Sequence, residues 1–214
     1  VIVPPEGYLK RMWEVCQAND ILFVADEVVT AFGRLGHWFA SESVFDIKPD
    51  IITTAKGLTS GYQPLGATIF SDRIWQVISE PGNGRYFAHG FTYTGHPVAC
   101  RAALKNIEIM ERERILEHVR DVGPYFLKQL KKLEQLPIVG EVRGDHFMVC
   151  IENVANKDTK TLFDEQIDIG QRITDECARR GVLVRPIGHL NVLSPSLILN
   201  AEEIDRIVVT LGDS

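Results

Sequence analysis

The sequence lacks the long apolar runs and the basic charge that membrane and nucleic-acid-binding proteins carry. No apolar run approaches the roughly 20 residues needed to cross a bilayer, and no signal-peptide pattern opens the chain. Acidic residues outnumber basic residues by 29 to 23, giving a formal net charge of -6, whereas binding a phosphate backbone needs a basic face. We therefore expect a cytoplasmic protein with neither a membrane nor a nucleic acid as its partner.

Metal and nucleotide motifs are also missing. The 4 cysteines form no CxxC pair and lie in apolar surroundings, which is typical of reduced, buried thiols and disfavours a disulfide or zinc site. Asp26 and Glu27 end an apolar run and so resemble Walker B acids, but the chain contains no GxxxxGK[ST] phosphate loop. A nucleotide site would need its phosphate loop in another part of the protein.

The apolar content is sufficient for a substantial core, since 45% of the 214 residues are hydrophobic. Both ends of the chain resemble the interior of a domain. Residues 1–5 are apolar and proline-rich, and the chain stops at Asp213-Ser214, shortly after an apolar helical pattern. We therefore expect a fragment.

Hydrophobic periodicity predicts helices and strands along the whole chain. Helices are predicted over 6–19, 97–110, 115–133, 162–180 and 201–211. Strands are predicted over 21–25, 50–55, 66–70, 138–142, 147–151, 182–186 and 191–194, with a turn at Arg143-Gly144-Asp145. The pattern indicates an α/β portion up to about Glu111 and a smaller α+β portion after it.

Polar residues follow two of the predicted strands at their carboxyl ends. Asp26 follows the apolar run 21–25, which is typical of a strand buried on both faces, and Lys56 follows 50–55. In open α/β sheets this end of the strands faces the ligand, so the two strands offer opposite charges to one site. Alternatively, Asp26 and Glu27 cap a loop, and Lys56 is a solvated turn residue before Gly57.

The segment 89–97 combines hydroxyls, aromatic rings and glycines immediately before a helix that starts at Pro97. Free N–H groups at a helix N-terminus, together with nearby hydroxyls, suit a phosphate. His89 and His96 are interpreted as structural, because no acidic or third histidine ligand stands near them in the sequence.

Arg185 stands in an apolar predicted strand next to Pro186. A guanidinium in such a strand should meet a carboxylate, because arginine forms bidentate bonds to planar anions. Both a protein carboxylate and a substrate carboxylate satisfy this expectation.

Taken together, these segments resemble the cofactor signature of class III aminotransferases, which depend on pyridoxal 5'-phosphate (PLP). The matching segments are Phe23-Val24-Ala25-Asp26-Glu27-Val28, Phe32-Gly33-Arg34, Thr54-Ala55-Lys56-Gly57-Leu58, Pro64-Leu65-Gly66-Ala67 and His89-Gly90-Phe91-Thr92-Tyr93-Thr94-Gly95-His96-Pro97. The last of these looks most like the ω-amino acid or amine:pyruvate branch. The family more often has Gly at Ala31 and Thr at Leu35.

The resemblance implies a role for each residue of the signature. Lys56 would form the Schiff base to PLP and, once released, move the proton between substrate and cofactor. Asp26 would keep the pyridine nitrogen protonated, and Val28, two residues further along the same strand, would pack against the ring. Thr92, with Phe91 beside it, would bind the cofactor phosphate of the neighbouring subunit, which implies a homodimer with its sites at the interface.

For Arg185 the resemblance implies a grip on the carboxylate of the keto-acid acceptor. The implied activity is a transaminase that moves an amino group from an amine or ω-amino acid to a keto acid such as pyruvate. An aminomutase or decarboxylase of the same fold, or an inert fragment that keeps only the fold and the dimer surface, are the alternatives.

The implied architecture is α/β, the PLP-dependent transferase fold type I. Residues 1–111 would form the C-terminal part of the large, mostly parallel-sheet PLP-binding domain, and 112–214 a truncated small C-terminal α+β domain. Family chains are about twice as long, so a phosphate loop, a ring-stacking aromatic residue and much of the substrate pocket are expected in the other half.

Overall fold

The computed structural model describes all of residues 1–214 and contains seven α-helices and seven β-strands. The helices are α1 (Tyr8–Ala18), α2 (Ala40–Ser43), α3 (Asp72–Ser79), α4 (Pro97–Arg112), α5 (Ile115–Lys131), α6 (Ile169–Arg179) and α7 (Ala201–Gly212). The strands are β1 (Val24–Asp26), β2 (Ile51–Thr54), β3 (Ala67–Phe70), β4 (Val139–Asp145), β5 (Met148–Asn153), β6 (Arg185–Ile187) and β7 (Leu190–Leu193). None of the helices combines the length and apolar character of a membrane span.

The chain divides into two compact units. The N-terminal unit comprises residues 4–33 and 37–116, and the C-terminal unit comprises 1–3, 34–36 and 117–214. The predicted division of the family's domains between residues 111 and 112 stays a prediction.

The N-terminal unit is built around a three-stranded sheet in the order β1-β2-β3. β1 runs parallel to β2, with Asp26 opposite Thr53, and β3 runs antiparallel to β2. The expectation that the run 21–25 is a strand buried on both faces is wrong, because β1 begins only at Val24 and that residue is 55% exposed. Within this chain β2 is the one strand that pairs with β1, and the side chain of Val24 is left largely uncovered.

The helix predicted from Pro97 is confirmed as α4, with Pro97 in its first turn. A proline is tolerated there because the first N–H groups of a helix have no intrahelical acceptor. Ala99, Ala103 and Met110 are the buried residues of α4, and they lie on one face at helical spacing. α2 and α3 are not among the predicted helices.

The C-terminal unit contains an antiparallel sheet in the order β4-β5-β7-β6. Its buried core includes Phe126 of α5 and Phe147, whose rings meet edge to face at 5.6 Å, together with Ile204 of α7. α7 begins with a capping box, in which Asn200 and Glu203 exchange side-chain and backbone hydrogen bonds.

The helix predicted over 162–180 starts only at Ile169, because Asp168 adopts a left-handed conformation with φ of 45°.

The turn predicted at Arg143-Gly144-Asp145 is wrong. These residues continue β4, with Gly144 opposite Val149, and the chain reverses after Asp145 at residues 146–147. Gly144 has a φ of +146°, and a Cβ there would lie 2.2 Å from the carbonyl oxygen of Met148. The glycine therefore permits a close approach of two strands and does not form the turn.

We predict that Gly144→Ala destabilises the C-terminal unit by about 3 kcal/mol or more, because it combines a disfavoured backbone conformation with a clash against backbone. The control Gly188→Ala also has a positive φ, +56°, but its Cβ would meet no atom within 4 Å. It should cost only about 1 kcal/mol. Urea unfolding measures both values, and equal losses would contradict this account of Gly144.

Candidate active site

The carboxyl ends of β1 and β2 bring two predicted site residues to one edge of the sheet. β1 ends at Asp26, which is paired with Thr53 in β2. Lys56 begins a 3₁₀ turn (Lys56–Leu58) directly after β2 and Ala55. Because neighbouring strands are about 4.8 Å apart, the carboxylate and the amine start from adjacent points of the same edge.

The neighbouring acids Asp26 and Glu27 have different surroundings. Glu27 is 3% exposed, and its carboxylate accepts hydrogen bonds from the backbone N–H groups of Ala40 at 2.8 Å and Ser41 at 2.7 Å. It also accepts from the hydroxyls of Ser41 and Thr30. The loop-capping interpretation therefore describes Glu27, whose fixed side chain anchors the segment after β1.

Asp26 is exposed and makes a single hydrogen bond, in which its Oδ1 accepts from the backbone N–H of Val28 at 3.0 Å. The other carboxylate oxygen has no partner in the chain. The expectation that Val28 continues the strand is wrong, since β1 ends at Asp26 and Val28 lies in the turn that follows. Its nearness to Asp26 comes from that turn.

Lys56 is exposed, and its amine makes no hydrogen bond or ion pair within the chain. Its backbone is left-handed, with φ of 37°, a conformation that residues with a Cβ rarely adopt. The adjacent Gly57 lies against the loop after β1, where an added Cβ would stand 2.8 Å from Phe32 Cβ. The sequence placed Lys56 at a strand end, but the strained turn was not evident from it.

A groove of about 1020 Å³ lies between the segment 63–70 and the loop 87–96. His89 faces it, with Nε2 3.2 Å from Thr68 Oγ1. Phe91 also lines the groove and is 72% exposed. Thr92 is exposed beside it, in a turn closed by reciprocal hydrogen bonds between Phe91 and Thr94. The loop presents its hydroxyls and aromatic rings to solvent immediately before α4.

Arg185 lies on β6 in the C-terminal unit and is exposed. It lines a separate groove of about 370 Å³, together with Leu183, Ser194 and Ile207. No carboxylate of the chain forms an ion pair with it. Of the two interpretations left open by the sequence, pairing with a protein carboxylate is therefore wrong within this chain.

Arg34 belongs to the cofactor-like signature, but its hydrogen bonds give it a structural role. Its Nη1 donates to the carbonyl oxygens of Phe147 at 3.1 Å and Pro195 at 2.6 Å. Burial lowers the pKa of the Arg34 guanidinium from its ordinary value. The residue therefore fastens the segment 34–36 to the β4–β5 hairpin, a contact between distant residues that the sequence did not indicate.

The donor set at the sheet edge fits PLP. A free amine suits the aldehyde of this cofactor, and a free carboxylate oxygen suits its basic ring nitrogen. Both groups lie at the edge where ligands of open α/β sheets bind.

Solved transaminases share this fold. An (S)-enantioselective omega-transaminase from Thermomicrobium roseum has a TM-score of 0.94 and 40% sequence identity, and the match covers 100% of this chain and 47% of that one. An amine transaminase from an uncultivated Pseudomonas species, solved in a PLP-bound form, has a TM-score of 0.93 and 45% identity over 99% of this chain and 48% of its own. The predicted fold class, PLP-dependent transferase fold type I, is therefore confirmed.

The sequence family follows from a family model, Aminotransferase class-III, which matches residues 1–213. The chain belongs to this family of PLP-dependent enzymes. A probable gamma-aminobutyrate transaminase 3, mitochondrial, from Oryza sativa subsp. japonica is 41% identical over 100% of this chain and 42% of its own length. The putrescine–pyruvate aminotransferase of Pseudomonas aeruginosa is 41% identical over 97% and 45%. The chain thus spans less than half the length of these relatives.

We predict that substitutions of the neighbouring acids Glu27 and Asp26 lower the free energy of unfolding by different amounts. Glu27→Gln should lower the free energy of unfolding by about 2–3 kcal/mol, because it places an amide group against donors that now meet a buried carboxylate. Asp26→Asn should change it by less than about 0.5 kcal/mol, since the exposed side chain makes one hydrogen bond. Equal losses in urea unfolding of the two variants would contradict the assignment.

Proposed function

We propose that the chain is part of a transaminase that moves an amino group from an amine or ω-amino acid to a keto acid such as pyruvate. The observation that carries this proposal is the pair of unengaged groups, the Lys56 amine and the Asp26 carboxylate, at one edge of the β1–β2 sheet. When bound, PLP supplies an aldehyde that condenses with amines and a protonated ring that accepts electrons.

Lys56 is the proposed attachment point and proton carrier. Its amine is available to bond to the aldehyde carbon, because no other side chain of this chain engages it. With PLP bound and a substrate amine in place of Lys56, the released Lys56 amine would be the group that carries the proton between substrate Cα and the cofactor. A single side chain therefore serves both halves of the reaction.

Asp26 is proposed to hold the proton on the ring nitrogen through its unpartnered carboxylate oxygen. A charge-assisted hydrogen bond of this kind keeps the ring able to withdraw electrons. Val28 is proposed to pack against one ring face. The hydrogen bond from its backbone N–H to Asp26 fixes the two residues relative to each other.

Thr92 and Phe91 are proposed to bind the cofactor phosphate of a neighbouring subunit, which makes the active form a homodimer with sites at the interface. The loop 87–96 supports this assignment because its hydroxyl and aromatic groups are exposed, with Phe91 and Tyr93 each 72% accessible. Exposed aromatic residues in a cluster are typical of surfaces that a partner covers.

Arg185 is proposed to bind the carboxylate of the keto acid or amino acid. Its guanidinium has no ion-pair partner within this chain and lines a groove, and a free guanidinium suits a planar carboxylate. The relatives named for gamma-aminobutyrate and for putrescine and pyruvate support a donor with a terminal amine.

The cytoplasmic location stays a prediction, and the rice relative is named as mitochondrial.

The attachment point can be mapped chemically. We predict that borohydride reduction of the complete gene product with PLP leaves one modified peptide, carrying the label on Lys56, as read by mass spectrometry. Lys56→Ala should lose the label, and Lys105→Ala, a matched lysine on the surface of α4, should keep it. A label on any other lysine would overturn the proposal.

The role of Arg185 can be separated from general catalysis. Arg185→Ala should lower kcat/KM for keto acids by about 10- to 100-fold, since a charged hydrogen bond of about 1.5–3 kcal/mol is lost. The single-turnover rate with a simple primary amine, which has no carboxylate, should change less than about 3-fold. Arg179→Ala, an exposed arginine of α6, serves as the control. Equal losses for both substrates would remove the carboxylate role.

A further inference from the structure

The turn that carries Lys56 is strained and therefore needs support from its surroundings. Lys56 and Ser60 both have left-handed backbones, with φ of 37° and 50°. Such a conformation costs on the order of 1–3 kcal/mol in a residue other than glycine and persists only where neighbouring groups impose it. The backbone hydrogen bonds within the turn, from Leu58 to Ala55 at 2.9 Å and from Thr59 to Lys56 at 3.3 Å, close it locally.

One side chain from a distant part of the sequence binds this turn. Asn106, half-buried on α4, donates from Nδ2 to the carbonyl oxygen of Gly57 at 2.9 Å and to that of Leu58 at 3.2 Å. Its Oδ1 accepts from the hydroxyl of Ser60 at 2.8 Å. The reverse orientation of the amide would set its oxygen against two carbonyl oxygens, so the network itself fixes the orientation.

The opposite side of the turn is closed by backbone. An added Cβ on Gly57 would stand 3.3 Å from the carbonyl oxygens of Ala31 and Phe32. The turn therefore lies between the loop after β1 and the Asn106 amide. Without the amide, the carbonyls of Gly57 and Leu58 lose the side-chain donor that holds them, and the left-handed conformation of Lys56 is free to relax.

We propose that Asn106 is a positioning residue, which holds the Lys56 turn so that the amine meets the cofactor aldehyde in a reactive geometry. The proposal rests on the proposed function, in which Lys56 is the attachment point. Asn106 acts through the backbone of Gly57 and Leu58. We expect Asn106 to affect the rate at which Lys56 bonds to the cofactor. It should have little effect on the affinity with which the site binds the cofactor noncovalently.

The test compares two ligands of the cofactor-free complete gene product. PLP bonds covalently to the amine, whereas pyridoxamine phosphate has no aldehyde and binds without it. Asn106→Asp, which has the same shape but no N–H donors, should slow covalent attachment of PLP by about 10- to 100-fold, the effect of a small misplacement of a reacting group. Its dissociation constant for pyridoxamine phosphate should change less than about 3-fold.

Lys105→Ala, the neighbouring exposed position on α4, should leave both quantities as in the wild type. If Asn106→Asp fails to bind pyridoxamine phosphate, Asn106→Ala removes the same donors without adding charge and decides the question. Attachment at the wild-type rate, or a parallel loss of pyridoxamine phosphate binding in both variants, overturns the positioning role. Attachment to a lysine other than Lys56 in the wild type defeats the proposed function itself, so the two failures are distinguishable.

Discussion

The parallel pairing of β1 with β2 is the constraint on which the candidate site depends. Because Asp26 lies opposite Thr53, the acid that ends one strand and the lysine that follows the other emerge at the same edge of the sheet. A shift of the register by one residue would turn Asp26 to the other face, since side chains alternate along a strand. Asp50 at the opposite end of β2 accepts from the backbone N–H of Phe23 at 2.9 Å and helps to fix this register.

The polar residues around the candidate site fall into two sets with different roles. Glu27 and Asn106 are engaged by several hydrogen bonds and hold backbone segments in place. Asp26 and Lys56, by contrast, keep functional atoms unpartnered. This difference is the physical basis for proposing that Asp26 and Lys56 contact the cofactor, whereas Glu27 and Asn106 support the backbone around it. The strained backbone of Lys56 fits the same division, since strain is often retained where function needs it.

Much of the fold and the central pair could be predicted from sequence, because apolar runs that end in Asp26 and Lys56 indicate strand ends directly. Other features depended on tertiary contacts. Val24 is apolar yet exposed in this chain, and periodicity carries no information on which elements cover the faces of a strand. Gly144 was interpreted as a turn residue because glycine favours turns, but its role is the close approach of β4 and β5. Asn106 gave no signal, since its partners Gly57 and Leu58 are far away in the sequence.

The most direct test of the central claim is a crystal structure of the complete gene product with PLP bound. The account predicts continuous density between Lys56 Nζ and the cofactor, and a carboxylate oxygen of Asp26 about 2.7–2.9 Å from the ring nitrogen, as in other charge-assisted hydrogen bonds. A cofactor bound elsewhere, or a ring nitrogen that faces a group other than Asp26, would contradict it.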